Sequence, residues 1–159
     1  MTSEQLKLTL ELHVKWLRSE PDGKKADLYG ADLYGADLRS ADLRSAKNLP
    51  FIPMTCPDTG SFIGYKKASG FIVKLEITAD AKRCSATGRK CRCNKALVLE
   101  IQKLDGSVSD LKSVSSSYDG NFVYTVGEVV EEPKFCEDRW IECSAGIHFF
   151  VNRQEAVEY

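Results

Sequence analysis

The 159-residue chain has little histidine, almost no net charge and no long apolar run. His13 and His148 are its two histidines, so neutral-pH bases for catalysis are scarce. It contains no Gly-x-Ser-x-Gly elbow, no full Walker spacing and no paired Cys-x2-Cys knuckles, which removes the common serine-hydrolase, nucleotide-hydrolysing and structural-zinc readings. The 22 Lys+Arg balance 23 Asp+Glu to a formal charge of −1, excluding both a uniformly basic nucleic-acid binder and an acidic disordered chain. No stretch approaches the ~18 apolar residues of a membrane span, and Met1 to Leu17 mixes leucine with charge where a signal peptide is continuously apolar. A cytoplasmic chain is expected. Thiols stay reduced there, so Cys56, Cys84, Cys91, Cys93, Cys136 and Cys143 are read as free thiols serving as small hydrophobes. Their spacings, Cys84-x6-Cys91-x-Cys93 and Cys136-x6-Cys143, argue against a metal site, and no cofactor is expected.

What is present falls into three parts: a helix over 1–23, a repeat segment over 24–48 and a domain over 49–159. In the first, Leu6, Leu10, Val14 and Leu17 recur at helical spacing, Leu8, Leu12 and Trp16 form a second stripe, and Thr2 with Gln5 has capping-box spacing. The two stripes predict packing along a broad face, with His13 exposed. Glu20-Pro21-Asp22-Gly23 ends the helix, glycine supplying a left-handed turn.

In the second part, Ala-Asp-Leu recurs every five residues at Ala26, Ala31, Ala36 and Ala41, and a degenerate fifth unit begins at Ala46. Neither the helix nor the strand period yields this spacing, so each unit is read as one side of a coil, alanine and leucine inside, aspartate and the next two residues outside. These units resemble pentapeptide-repeat proteins, which implies a right-handed, four-sided β-helix. Four units make about one coil, and one layer leaves two open faces that need covering, the helix on one side and the domain or a second copy on the other. A homo-oligomer is therefore expected. Arg39 and Arg44 among the aspartates argue against the DNA mimicry of longer family members.

The third part alternates apolar and polar residues between Gly, Ser and Asp turns. Strands are predicted at Phe71 to Ile77, at Leu97, Leu99 and Ile101, at Phe122 to Val126 and at Gly146 to Val151, with a short helix over Asn152 to Tyr159. The fold class is α+β with a mostly antiparallel sheet. Residues 81–99 hold Lys82, Arg83, Arg89, Lys90, Arg92 and Lys95 and no acid, a local charge of +6. With Ser85, Thr87 and Gly88 between them, these residues have the ingredients of an anion-binding nest, to which Lys66 and Lys67 add charge. Cys91 and Cys93 are expected on one side of a strand, with Lys90 and Arg92 facing outward on the other. His148, beside Ile147 and Phe149, is expected in the core or on a cleft wall.

Gly60 to Lys67, Ala86 to Cys93 and Cys143 to Phe150 resemble an uncharacterised domain that follows pentapeptide repeats in bacteriophage and prophage proteins. A more local resemblance links Gly146-Ile147-His148-Phe149 and the following helix to ADP-ribosyltransferases. That likeness implies a nucleotide-like pocket without turnover, because the early strand Phe62 to Tyr65 has no ribose-holding histidine and no later strand follows Tyr159 to carry the catalytic glutamate. The expected function is a non-enzymatic phage accessory protein in the host cytoplasm, of a counter-defence type. It would engage a host protein or sequester a phosphorylated, nucleotide-like small molecule through Lys66, Lys67, Ser85, Thr87, Gly88, Arg89, Lys90, Arg92, Lys95 and His148. Nucleic acid is the less favoured partner and a membrane is excluded. The alternatives are an assembly module without a ligand and a degenerate transferase.

Overall fold

A computed structural model describes residues 1–29, 31, 33, 38, 41–49 and 51–159. Two compact units divide the chain, Met1–Pro53 and Met54–Tyr159. Among the described residues no helix is long and apolar enough to cross a membrane.

The first unit opens with α1 (Ser3–Leu17), whose capping box forms as its residues dictate: the Thr2 side chain accepts from Gln5 N, and the Gln5 side chain accepts from Thr2 N. Leu6 is buried, with Leu10, Val14 and Leu17 half-buried on the same stripe. The second stripe does not pack as expected, since Leu8 is 56% and Trp16 38% exposed. His13 is a correction too. It is fully buried, its Nδ1 accepts from Ala26 N (3.3 Å), and its Nε2 lies 2.9 Å from Arg44 O. Because Nδ1 is the acceptor, Nε2 carries the proton and donates it to Arg44. The left-handed turn after α1 falls on Ser19 and Asp22 rather than on Gly23. Gly23 serves close approach: a Cβ there would lie 2.4 Å from Trp16 N.

In the repeat segment Ala26, Leu28, Leu38 and Leu43 are buried, in line with an apolar inside. At three places the alanine of one unit donates its N–H to the leucine carbonyl of the unit before, at Ala31, Ala41 and Ala46. Asp27 and Asp42 turn their carboxylates onto the N–H two residues on, at Tyr29 and Arg44. Asp27 and Lys47 form a parallel bridge, bracketed by Leu28 N to Lys47 O (3.0 Å) and Lys47 N to Ala26 O (2.9 Å). The expectations for Asp32, Ala36, Asp37 and Arg39 lie outside the described residues.

The second unit is built on a four-stranded antiparallel sheet in the order β1 (Phe62–Ala68), β2 (Phe71–Ile77), β5 (Lys95–Gln102), β8 (Val129–Glu131). A second sheet has the order β3 (Arg83–Ser85), β4 (Cys91–Cys93), β9 (Ile147–Phe149), and a hairpin pairs β6 (Ser113–Ser115) with β7 (Val123–Thr125). Reciprocal 2.8 Å bonds between Tyr65 and Phe150 join the first two sheets. Gly64 permits that junction, since a Cβ there would stand 2.7 Å from the Phe149 ring.

The strand phase of β2 is the expected one, with Val73, Leu75 and Ile77 in the core. That of β5 is not: Ala96 and Val98 face the core instead of Leu97 and Leu99. The register shift opposite Lys74/Leu75, where Glu100 and Val98 pair across and Leu99 is the extra residue, then returns Ile101 to the core. Such a bulge breaks the period of two on which the sequence reading relied. The terminal helix α2 (Arg153–Glu158) is capped by Asn152, whose side chain accepts from Gln154 N.

Candidate functional site

The register of β4 against β9 pairs Cys91 with Phe149, Arg92 with His148 and Cys93 with Ile147. Side chains alternate across a strand, so Cys91, Cys93, Ile147 and Phe149 enter the core while Arg92 and His148 share the opposite face. The expectation that Arg92 looks out into solvent fails. Residues 136–146 cover that face, and Arg92, 3% exposed, donates to the carbonyls of Cys136 (3.0 Å), Asp138, Ile141 (2.6 Å) and Glu142 (3.4 Å). The guanidinium organises this covering loop, its donors turned onto backbone carbonyls.

The other candidates disperse in the same way. Ser85 is buried, with Oγ accepting from Thr55 N (2.8 Å), and Gly88 O accepts from Thr55 Oγ1 (2.9 Å). Gly88 does not take the left-handed conformation that an anion nest needs, and Thr87 is half-buried beside it. Arg89 pairs with Glu155 of α2 at 2.8 Å, Lys95 with Asp80 at 2.5 Å, and Lys67 donates to Val157 O (3.0 Å) near the end of α2. Lys82 pairs with Glu137, and Arg83 donates to the carbonyls of Gly60, Thr78, Ala79 and Ala81.

Lys90 differs. Its Nζ lies 3.3 Å from the Tyr159 hydroxyl, 3.8 Å from Cys143 Sγ and over the Tyr159 ring. Among the described residues it has no carboxylate or carbonyl partner. It lines a cavity of about 350 Å³ with His148, Cys143, Ser144, Tyr118, Phe122, Tyr124, Asp119, Glu132 and Tyr159. Lys66 stands behind one wall, its ammonium 6.0 Å from the centre of the Tyr124 ring. The structure thus brings together Lys66, Lys90 and His148 of the ten expected residues, with Arg92 beside His148 but bonded to the covering loop, and separates the other six.

The electrostatics bear this out. Burial is the first cause that pushes His148 down to about 4, followed by the Lys90 and Lys66 charges, while its bond to Ser144 O (3.0 Å) acts the other way. Lys66 is lowered by burial and then by Lys90. For Lys90 burial opposes the charge, but the Tyr159 hydroxyl and the nearby Tyr159, Cys143 and Glu142 outweigh it, and its pKa rises. Two ammonium groups therefore converge on a half-buried ring without a neutralising acid among the leading influences on that ring. The positive charge is local to the Lys90 side of the cavity, since Asp119 and Glu132 also line it.

Sequence reasoning missed the aromatic residues of the cavity. Phe122 and Tyr124 read as strand core, and Tyr124 is indeed buried while also lining the cavity, its pKa raised by that burial. Tyr159 is brought over by α2, where the Phe150 ring packs against it at 5.2 Å. Among the described residues no three His, Cys, Asp or Glu side chains stand close enough to hold a metal ion. Cys56, Cys84, Cys91 and Cys93 are buried free thiols, Cys93 pushed up to about 12 by burial.

Comparison with known proteins finds two matches. Residues 52–156 match the model described as a family of unknown function, DUF5758, and residues 24–47 match that of pentapeptide repeats (8 copies). Neither a curated protein nor a solved structure matches the chain.

Proposed function

The chain belongs to the DUF5758 family, and on that premise we propose that it is a non-enzymatic binding module that holds a small phosphate-bearing, nucleotide-like ligand in the Lys90–His148 cavity. The observation that carries this reading is the convergence of Lys90 and Lys66 on His148 with aromatic side chains around them. Ammonium groups attract phosphate, and Phe122 and Tyr118 offer aromatic surface to a flat ring. Binding suits the site better than turnover. A histidine with a pKa near 4 is a poor general acid or base at neutral pH, where the two protonation states must exchange easily.

The setting belongs to the same proposal: a phage-encoded chain that sequesters a host metabolite in a counter-defence role. The repeat segment is assigned to assembly. The parallel bridge from Asp27 to Lys47 spans twenty residues, or four five-residue units, as one turn of a right-handed, four-sided β-helix requires. The exposed Leu8 and Trp16 add apolar surface for a second copy.

Calorimetric titration with ribose 5-phosphate and with nucleotides tests the ligand reading. Binding should weaken by about tenfold or more in Lys90→Met, since one charged hydrogen bond is worth about 1.5–3 kcal/mol. Affinities unchanged in both Lys90→Met and Lys66→Met would refute the site.

A further inference from the structure

The cavity is not uniformly basic, and its second polarity narrows the ligand. Asp119, in the turn between β6 and β7, and Glu132, just after β8, line it together with Lys90. Each carboxylate is held by a backbone N–H two residues on: Asp119 Oδ1 accepts from Asn121 N at 2.9 Å and Glu132 Oε1 from Lys134 N at 2.9 Å. Among the described residues the remaining oxygens, Asp119 Oδ2 and Glu132 Oε2, have no partner. The side chains are thus oriented while an acceptor stays open on each. Phe122 packs against Tyr124, ring centres 5.4 Å apart, and Phe122 and Tyr118 come from the same hairpin as Asp119.

We infer, building on the phosphate-binding reading above, that the cavity takes a mononucleotide whose base carries an amino group, with the phosphate at Lys90 and the base against Phe122 and its amino edge toward Asp119 and Glu132. A carboxylate oxygen only accepts hydrogen bonds, so it rewards the N–H groups of adenine, cytosine or guanine. Uracil offers a single N–H flanked by two carbonyls, which the carboxylates repel. Size supplies the second restriction. The volume of about 350 Å³ lies at the small end of ligand pockets, which run roughly 300–1,000 Å³, and suits one base, sugar and phosphate better than a dinucleotide.

The test is calorimetry on the full chain with AMP, GMP, CMP, UMP, ADP-ribose and ribose 5-phosphate. At least one amino-bearing monophosphate should bind about tenfold tighter than UMP, and Glu132→Gln with Asp119→Asn should bring that ratio within about threefold while ribose 5-phosphate binding is kept. UMP binding as tightly as the other three, or ADP-ribose binding tighter than AMP, overturns this inference and leaves the phosphate site standing. Failure of every compound, ribose 5-phosphate included, overturns the phosphate site itself. Retained circular dichroism and melting temperature separate a lost contact from a lost fold.

Discussion

Two groups of cations in this protein have the same chemistry in the sequence and opposite fates in the fold. Lys82, Arg83, Arg89, Arg92 and Lys95 all end on carboxylates or backbone carbonyls, whereas Lys90, among them in the chain, hydrogen-bonds among the described residues only to a phenol and a thiol. A dense run of positive charge is therefore not by itself an anion site. What makes one is the failure of the fold to supply a partner, and that failure singles out Lys90, with Lys66 behind it.

The largest effect is expected at Arg92. Arg92→Met strands several carbonyls and should cost on the order of 3 kcal/mol, read as a lower urea midpoint. A loss below about 1 kcal/mol would mean that the loop over residues 136–146 holds itself, and the contrast between the two groups would weaken. His148 comes next. Its folded pKa of about 4 lies below the ordinary value of 6.5, so its neutral form belongs to the fold; the stability it supports is complete above 6.5 and is lost as pH falls toward 4. With partial exposure counted, this amounts to about 2 kcal/mol. Urea titrations at pH 7 and pH 4.5 should show a smaller difference for His148→Gln than for the parent, and equal differences would remove His148 from the buried wall. Lys90→Met should leave stability within about 1 kcal/mol while ligand affinity falls about tenfold. The smallest effect belongs to Arg89→Ala, about 0.5 kcal/mol or less, since its ion pair with Glu155 is largely exposed. Ligand affinity should not change there; a tenfold loss would return Arg89 to the site.

Much of the scaffold was legible in the sequence, because local rules governed it. The capping box at Thr2, the phase of β2, the five-residue repeat and the Asn152 cap each depend on residues close together in the chain. Where those rules misled, a long-range partner decided. His13 has a surface-helix context but finds Ala26 and Arg44, Leu99 takes the extra position opposite β2, and Arg92 is roofed by a loop that starts more than forty residues later. The cavity was partly legible. Lys66, Lys90 and His148 were on the expected list, but nothing local separates them from Arg89 or Lys95, whose partners come from Glu155 and Asp80. The aromatic wall was hidden for a further reason: strand alternation reports which side chains turn inward, not which of them also border a hollow.

The buried ring of His13 has one more consequence. It acts as a gauge for the repeat, since one nitrogen measures from Ala26 and the other from Arg44, near the first and last full units. Solenoids ordinarily lengthen or shorten by whole units at small cost, because each layer meets only its neighbours. Here an added or deleted pentapeptide between the two contacts would carry the Arg44 carbonyl away and leave a buried N–H without an acceptor. The helix thereby ties the number of units to four, and this repeat is a part of set length.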